Sequence, residues 1–276
     1  MKGLILLFKF MTRLPIPLNP EFDSKELGKS MKFFPVVGIV IGAILYLTYF
    51  IGAKFIMSSY LLAAIVVTVE VILTGALHLD GLADTFDGIF SYRSKQKMLE
   101  IMKDSRLGTN GGIALVLYFV LKIFLIAGIN DMNLGVIGNI IGVKNSVGAV
   151  LLVSPVLARI NPVLNCTVSP YARSSGSAKE FVDNTDKTGL LTACAIGLIF
   201  STVMGAGVLK VLNPLHILNI TAIVMALGLY FAKLMERKIG GITGDTLGAI
   251  LELSEVMILF GFYISLAVEI GKQFSM

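Results

Sequence analysis

His78-Leu79-Asp80-Gly81-Leu82-Ala83-Asp84-Thr85-Phe86-Asp87-Gly88 follows directly on a strongly apolar run. Its three aspartates recur at i, i+4 and i+7, so on a helix turning about 100° per residue they share one face. His78 falls on the opposite side of such a helix. An acid at the centre of a membrane helix costs about 2.5–3.5 kcal/mol on insertion scales. Even near the interface, three acids on one stripe require water, a divalent cation or a cationic substrate. The stretch therefore reads as the cytoplasmic end of a membrane span.

Composition supports that setting. The 276 residues are 55% hydrophobic and 15% charged, with mean hydropathy +0.84. Soluble domains carry roughly 25% charged residues. Runs of roughly 20 apolar residues, the length that spans a bilayer, lie near 33–53, 60–79, 111–128, 134–157, 188–209, 215–232 and 248–270. The expected fold is all-α: a polytopic helical bundle of about seven spans, forming one integral-membrane domain over 1–276. The fourth run is interrupted by Lys144-Asn145. Cytoplasmic loops are expected near 80–110, 158–187 and 233–247. Cys166 and Cys194 have neither metal-ligand nor redox-motif spacing and read as reduced.

Basic residues set the orientation. With the N-terminus inside, most of the 23 Lys and Arg fall on the inner side, Arg159 and Arg173 among them. Only Lys54, Lys210 and Lys272 fall outside, and Lys122 and Lys144 lie within spans. This is a positive-inside pattern, so the site is expected to open to the cytoplasm from a multi-pass protein of the inner (cytoplasmic) membrane. The net charge of +5 is a topology signal and a contact for anionic lipid; it gives no reason to invoke nucleic acid. Residues 1–14 read as an amphipathic interfacial helix, since Lys2, Lys9 and Arg13 lie within about 20° of one line. Arg13 is also placed to touch an anionic substrate. There is no cleavage-site pattern of a signal peptide.

Three constellations carry chemistry. The aspartate stripe is followed by Ser91-Tyr92-Arg93-Ser94-Lys95-Gln96-Lys97 and by Ile101-Met102-Lys103-Asp104-Ser105-Arg106-Leu107-Gly108. Carboxylates beside Lys103 and Arg106 suit a phosphate-bearing substrate, with oxygen ligands appropriate to Mg²⁺ or Mn²⁺. The second is Gly240-Gly241-Ile242-Thr243-Gly244-Asp245, with Glu252 and Glu255 entering the last span. The third, Ala158-Arg159-Ile160-Asn161-Pro162 and Tyr171-Ala172-Arg173, is expected to form a loop over the inner mouth. Glu70, deep in the second span, is a functional candidate by its position.

Several motifs together resemble the cobalamin synthases, membrane enzymes of the adenosylcobinamide-GDP ribazoletransferase type. They are Phe10-Met11-Thr12-Arg13-Leu14-Pro15-Ile16-Pro17, Phe33-Phe34-Pro35-Val36-Val37-Gly38, and the run from Thr74-Gly75-Ala76-Leu77 through Gly88. Ile101 through Thr109, Tyr171-Ala172-Arg173 and Gly241-Ile242-Thr243-Gly244-Asp245 complete the set. They run in order along almost the whole chain; Asn110 departs from the family pattern. The resemblance implies transfer of the phosphocobinamide moiety of adenosylcobinamide-GDP to the ribose hydroxyl of α-ribazole or its 5′-phosphate, with release of GMP and Mg²⁺ as cofactor. It implies Asp80, Asp84 and Asp87 as metal ligands on the diphosphate; Glu70 and Glu252 are further acidic candidates for the metal. Among the catalytic carboxylates Asp84, Asp87 and Asp104, either Asp87 or Asp104 would take or position the hydroxyl proton. Lys103, Arg106, Arg159 and Arg173 would neutralise phosphate, with Arg13 and Asp245 as further substrate contacts. The sequence is compatible with a homo-oligomer.

Two other readings stand beside this one. Asp-Gly-x-x-Ala is similar to the start of the CDP-alcohol phosphotransferase signature, but Asp84 occupies the place of its arginine. A cation-coupled transporter would use Glu70, Asp84 and Glu252 as intramembrane carboxylates. Against it, the acids cluster on one side and the outer half has almost no ionisable path.

Overall fold

The computed structural model describes residues 2–134, 146–176, 178–210 and 212–274. Among them the chain is helical throughout, with one isolated parallel bridge between Tyr171 and Ile242. A short helix α1 (Lys2–Met11) packs through Leu6, Leu7 and Met11 onto α2 (Ser24–Lys29) and the 3-10 turn that leads into α3 (Phe34–Gly52). There follow α4 (Ser59–Thr74), α5 (Leu77–Ile89), α6 (Lys95–Ile101), α7 (Thr109–Leu134), α8 (Ser146–Ala158) and α9 (Ile160–Val168). The chain then forms α10 (Lys179–Asn184), α11 (Lys187–Ser201, continued by a π-turn to Val208), α12 (Pro214–Ile239) and α13 (Gly244–Phe274).

Among the described residues six stretches are long and apolar enough to cross a membrane: Ser24–Gly52, Thr109–Met132, Ser146–Val168, Lys187–Val208, Pro214–Ile239 and Gly244–Lys272. A seventh exists only as the pair α4 and α5, which meet at 92°. All of α8 is buried, as expected of a helix apolar all round at the centre of a bundle. It lies closely against α3, where Gly38 and Gly42 face the backbone carbonyls of Pro155 and Leu152. This is the small-residue contact by which membrane helices approach without a hydrophobic drive.

The bend corrects the reading of the aspartate stripe as the end of a span. Gly75 and Ala76 both adopt left-handed conformations, with φ of 61° and 59°, which stops α4 at Thr74. The Arg13 side chain packs over Gly75, where any Cβ would lie 2.3 Å from its Nε. The Arg13 backbone N–H donates to Leu73 O at 2.7 Å. Arg13 thus braces the corner, and α5 lies across the end of α4.

A second correction concerns Arg159. No loop begins at 158: α8 and α9 form one stretch to Val168, interrupted only at Arg159. Pro162 lacks the N–H that would bond Ala158 O, which accounts for the one-residue break. Arg159 is fully buried, its guanidinium 5.3 Å from the Phe34 ring centroid and its Nη1 donating to Pro155 O at 2.7 Å. The loop proper starts after Val168. The Lys144-Asn145 interruption lies outside the described residues.

Deep in the bundle Lys122 of α7 holds three helices together. Its Nζ lies 2.7 Å from Glu70 of α4 and 3.2 Å from Glu255 of α13, and donates to Tyr118 Oη at 2.7 Å. Tyr118 in turn donates to Glu252. All five side chains are buried. Glu70 and Glu252 are therefore corrected from metal-ligand candidates to members of this ion cluster; a buried ammonium with its own carboxylate partners takes the place of a cation. Replacing Lys122 by Met strands these carboxylates. The expected loss is about 3–5 kcal/mol of stability, read by thermal unfolding in detergent, with partial recovery when Glu70→Gln is added.

Candidate functional site

Three segments distant in sequence meet at one end of the bundle. The first is α5, which packs against the first turns of α13. At Gly81 a Cβ would lie 2.7 Å from Asp245 O, and at Gly248 one would lie 3.0 Å from His78 O. Only hydrogen at both positions permits this approach, and it carries the face of Asp80 and Asp84 to Asp245. The N-terminus of α13 is closed by its own threonines: the Thr243 N–H donates to Thr246 Oγ1 at 2.8 Å, and the Thr246 N–H to Thr243 Oγ1 at 3.3 Å.

The third segment is stitched to the second by backbone. Ala172 N–H donates to Ile242 O at 2.8 Å and Ile242 N–H to Pro170 O at 2.9 Å. That pairing fixes Arg173, whose Nη2 lies 2.8 Å from Asp245 Oδ2. Both side chains are largely withdrawn from solvent, at 13% and 23% exposure, and Thr243 Oγ1 also donates to Asp245, at 3.2 Å.

Asp87 does a different job. Its carboxylate accepts the N–H of Gly108 at 2.7 Å and of Gly111 at 2.8 Å. A negative charge at the start of α7 satisfies donors that the helix cannot pair and complements the helix dipole. It also anchors the 102–108 loop beside the stripe. Asp104 is exposed and clamped by Arg106, with Arg106 Nη2 2.5 Å from Asp104 Oδ2. Hydrogen bonds from the Arg106 side chain and backbone hold the Asp104 carboxyl down at about 2. A proton acceptor that weak is a poor base near neutrality. Arg106 is 87% exposed, and Lys103 is exposed as well. Arg159, buried beside the ion cluster, and Arg13, at the α4–α5 corner, also stand apart from the carboxylates.

Asp84 carries the electrostatic signature of the site. Half-burial raises its pKa, and the charges of Asp80, Asp245 and Asp87 raise it further; Arg173 opposes them, and the result is about 7. Four carboxylates from two helices thus share one field, with one arginine to offset them. Among the described residues no group of three or more His, Cys, Asp or Glu is already arranged as a metal cage. The donor set is nonetheless all oxygen and rich in negative charge. Mg²⁺ in phosphate chemistry commonly uses one or two carboxylates together with substrate phosphates and water, so the residues fit such an ion.

Sequence comparison bears on what this site does. Residues 3–263 match the family model described as cobalamin-5-phosphate synthase. A protein of Fusobacterium nucleatum named adenosylcobinamide-GDP ribazoletransferase is 46% identical, the match covering 96% of this chain and 98% of the relative. Relatives of the same name from Thermoanaerobacter and Clostridium acetobutylicum are 39% and 37% identical, each over 95% of this chain and 96% of the relative. No solved structure matches the chain.

The Asp84 environment has a consequence for stability. Between its ordinary value of 3.8 and about 7, the folded protein retains a proton that the unfolded chain has released. Stability in metal-free buffer should fall as pH rises through that window and level off above it. Thermal unfolding between pH 4 and 8 checks this: Asp84→Asn should reduce the slope.

Proposed function

The chain belongs to the cobalamin-5-phosphate synthase family, and from that premise we propose that it is a membrane-embedded adenosylcobinamide-GDP ribazoletransferase with its site on the cytoplasmic face of the inner membrane. In the reaction, a ribose hydroxyl of α-ribazole or its 5′-phosphate attacks the phosphorus that bears the cobinamide. The bond from that phosphorus to the GMP oxygen breaks, and GMP leaves. The CDP-alcohol phosphotransferase and transporter readings give way to this one.

The observation that carries the proposal is the convergence of the α5 aspartates, Arg173 and Asp245. Asp84 takes the hydroxyl proton: it is half-buried in the field of Asp80, Asp245 and Arg173, whereas Asp104 is clamped by Arg106 and both oxygens of Asp87 already accept backbone N–H groups. Asp80 and Asp245 would hold Mg²⁺, which when bound neutralises diphosphate charge. Arg173, with its fork of donors, stabilises the charge that develops as GMP departs. The Gly108 and Gly111 amides position Asp87, keeping the 102–108 loop close to the acceptor. The inner-side orientation is supported by the distribution of Lys and Arg along the chain.

Purified protein supplied with adenosylcobinamide-GDP, α-ribazole and Mg²⁺ should release GMP. Chelation should stop it, and Asp84→Asn should lower kcat by about 10²–10⁴, the usual contribution of a positioned base. Folded wild type that yields no GMP under these conditions contradicts the assignment.

A further inference from the structure

Beside the carboxylates lies a cavity of about 130 Å³, enclosed by α1, α3, α5, α10 and α13. Its walls include Phe10, Phe34 and Phe181, with Asp80 and Asp245 also lining it. Phe10 and Phe181 meet edge to face, ring centroids 5.8 Å apart. Asp80 is exposed while His78 is only 5% exposed, so the cavity runs from the carboxylate site to a buried imidazole.

His78 is the unexplained group. It lines the cavity, yet neither Nδ1 nor Nε2 has a hydrogen-bond partner among the described residues. Its one ring neighbour, Phe34, offers no polar atom, at 6.1 Å between centroids. Leaving a buried donor or acceptor unpaired costs about 1–3 kcal/mol, and such groups at the bottom of a pocket mark the place of a ligand atom. A neutral imidazole presents one donor and one acceptor.

We propose that this cavity receives the aromatic base of the acceptor nucleoside, with His78 donating a hydrogen bond to a ring nitrogen of that base while the ribose rests beside Asp80 and Asp245. The inference rests on the transferase reading. The chemistry suits a flat, uncharged ring system: aromatic walls to stack on, one buried polar group to read a single ring nitrogen, and the reacting hydroxyl left at the carboxylates. The space is too small for the cobinamide donor. A guanine base would bring several polar edge groups to walls that offer few partners in the interior.

The test uses the full chain in detergent. Equilibrium binding of α-ribazole is measured alongside the KM of each substrate, for wild type, His78→Phe, His78→Gln and Phe10→Ala. Phe10 is 38% exposed, so its truncation keeps the comparison open if the His78 variants fold poorly. The expected result is binding of α-ribazole at least tenfold weaker in His78→Phe and severalfold weaker in Phe10→Ala. His78→Gln, which retains a donor, should lose less, and KM for adenosylcobinamide-GDP should stay unchanged throughout. Unaltered α-ribazole binding in both His78→Phe and Phe10→Ala overturns the proposal, as does a shift confined to the donor's KM, which would assign the cavity to guanine. Wild type that binds α-ribazole in a His78-dependent way without releasing GMP upholds the pocket and contradicts the transferase reading alone.

Discussion

A single ammonium group in the membrane interior holds the working end of this protein in place. Lys122 gathers Glu70 of α4 and Glu255 of α13, and through Tyr118 it reaches Glu252. Charges buried this deeply are tolerated only in each other's company, so α4, α7 and α13 cannot slide past one another without separating them. Two further buried amides extend the constraint. Asn161 donates to Val224 O and Ser254 Oγ, and Asn165 to Gly228 O, tying α9 to α12 and α13. The apolar helices supply the bundle, and these polar ties supply its register.

Register matters because the site is shared among elements that meet only at their ends. α5 contributes Asp80 and Asp84, α13 contributes Asp245, and the 169–176 segment contributes Arg173. Each is placed by a contact that does not involve substrate: glycines at the α5–α13 crossing, the backbone pairing of Ala172 with Ile242, and the closure of the α13 N-terminus by Thr243 and Thr246. The carboxylates are thereby held close together at the expense of mutual repulsion, which adds to the effect of burial in raising the Asp84 pKa. Crowded negative charge on a preorganised scaffold is what metal-assisted phosphoryl transfer requires. The ion cluster and the carboxylate site have opposite electrostatic logic. The first is internally compensated, whereas in the second Arg173 offsets only part of the negative charge.

Much of this was legible in the sequence. Long apolar runs announce the spans, the i, i+4, i+7 aspartates announce a shared face, and the Tyr171-Ala172-Arg173 and Gly241–Asp245 motifs stand out in the sequence alone. What escaped reading depended on contacts between distant residues. Gly75 and Ala76 lie in an apolar context, so hydropathy carried no sign of the 92° corner. Arg159, next to Asn161-Pro162, looked like a loop residue because charge and proline usually mark one; its burial against Phe34 and near three glutamates reverses that expectation. Lys122 was visible as a cation inside a span, and Glu255 stands three residues after Glu252 on the same helical face. Pairing a lone intramembrane lysine with such acids was the available signal, and it would have withdrawn Glu70 and Glu252 from the metal set. Arg173 and Asp245 are separated by 72 positions, and only tertiary structure could join them.

The central claim is that Asp84 and Asp245, on different helices, occupy one electrostatic site. Infrared titration of the protonated carboxyl stretch, with Asp84→Asn identifying the Asp84 band, measures this directly in metal-free protein. Wild type should show Asp84 titrating near 7, and Asp245→Asn should move that midpoint down by removing a neighbouring negative charge. A midpoint that stays in place after Asp245→Asn, or an Asp84 band that titrates in the ordinary carboxylate range, would contradict the account.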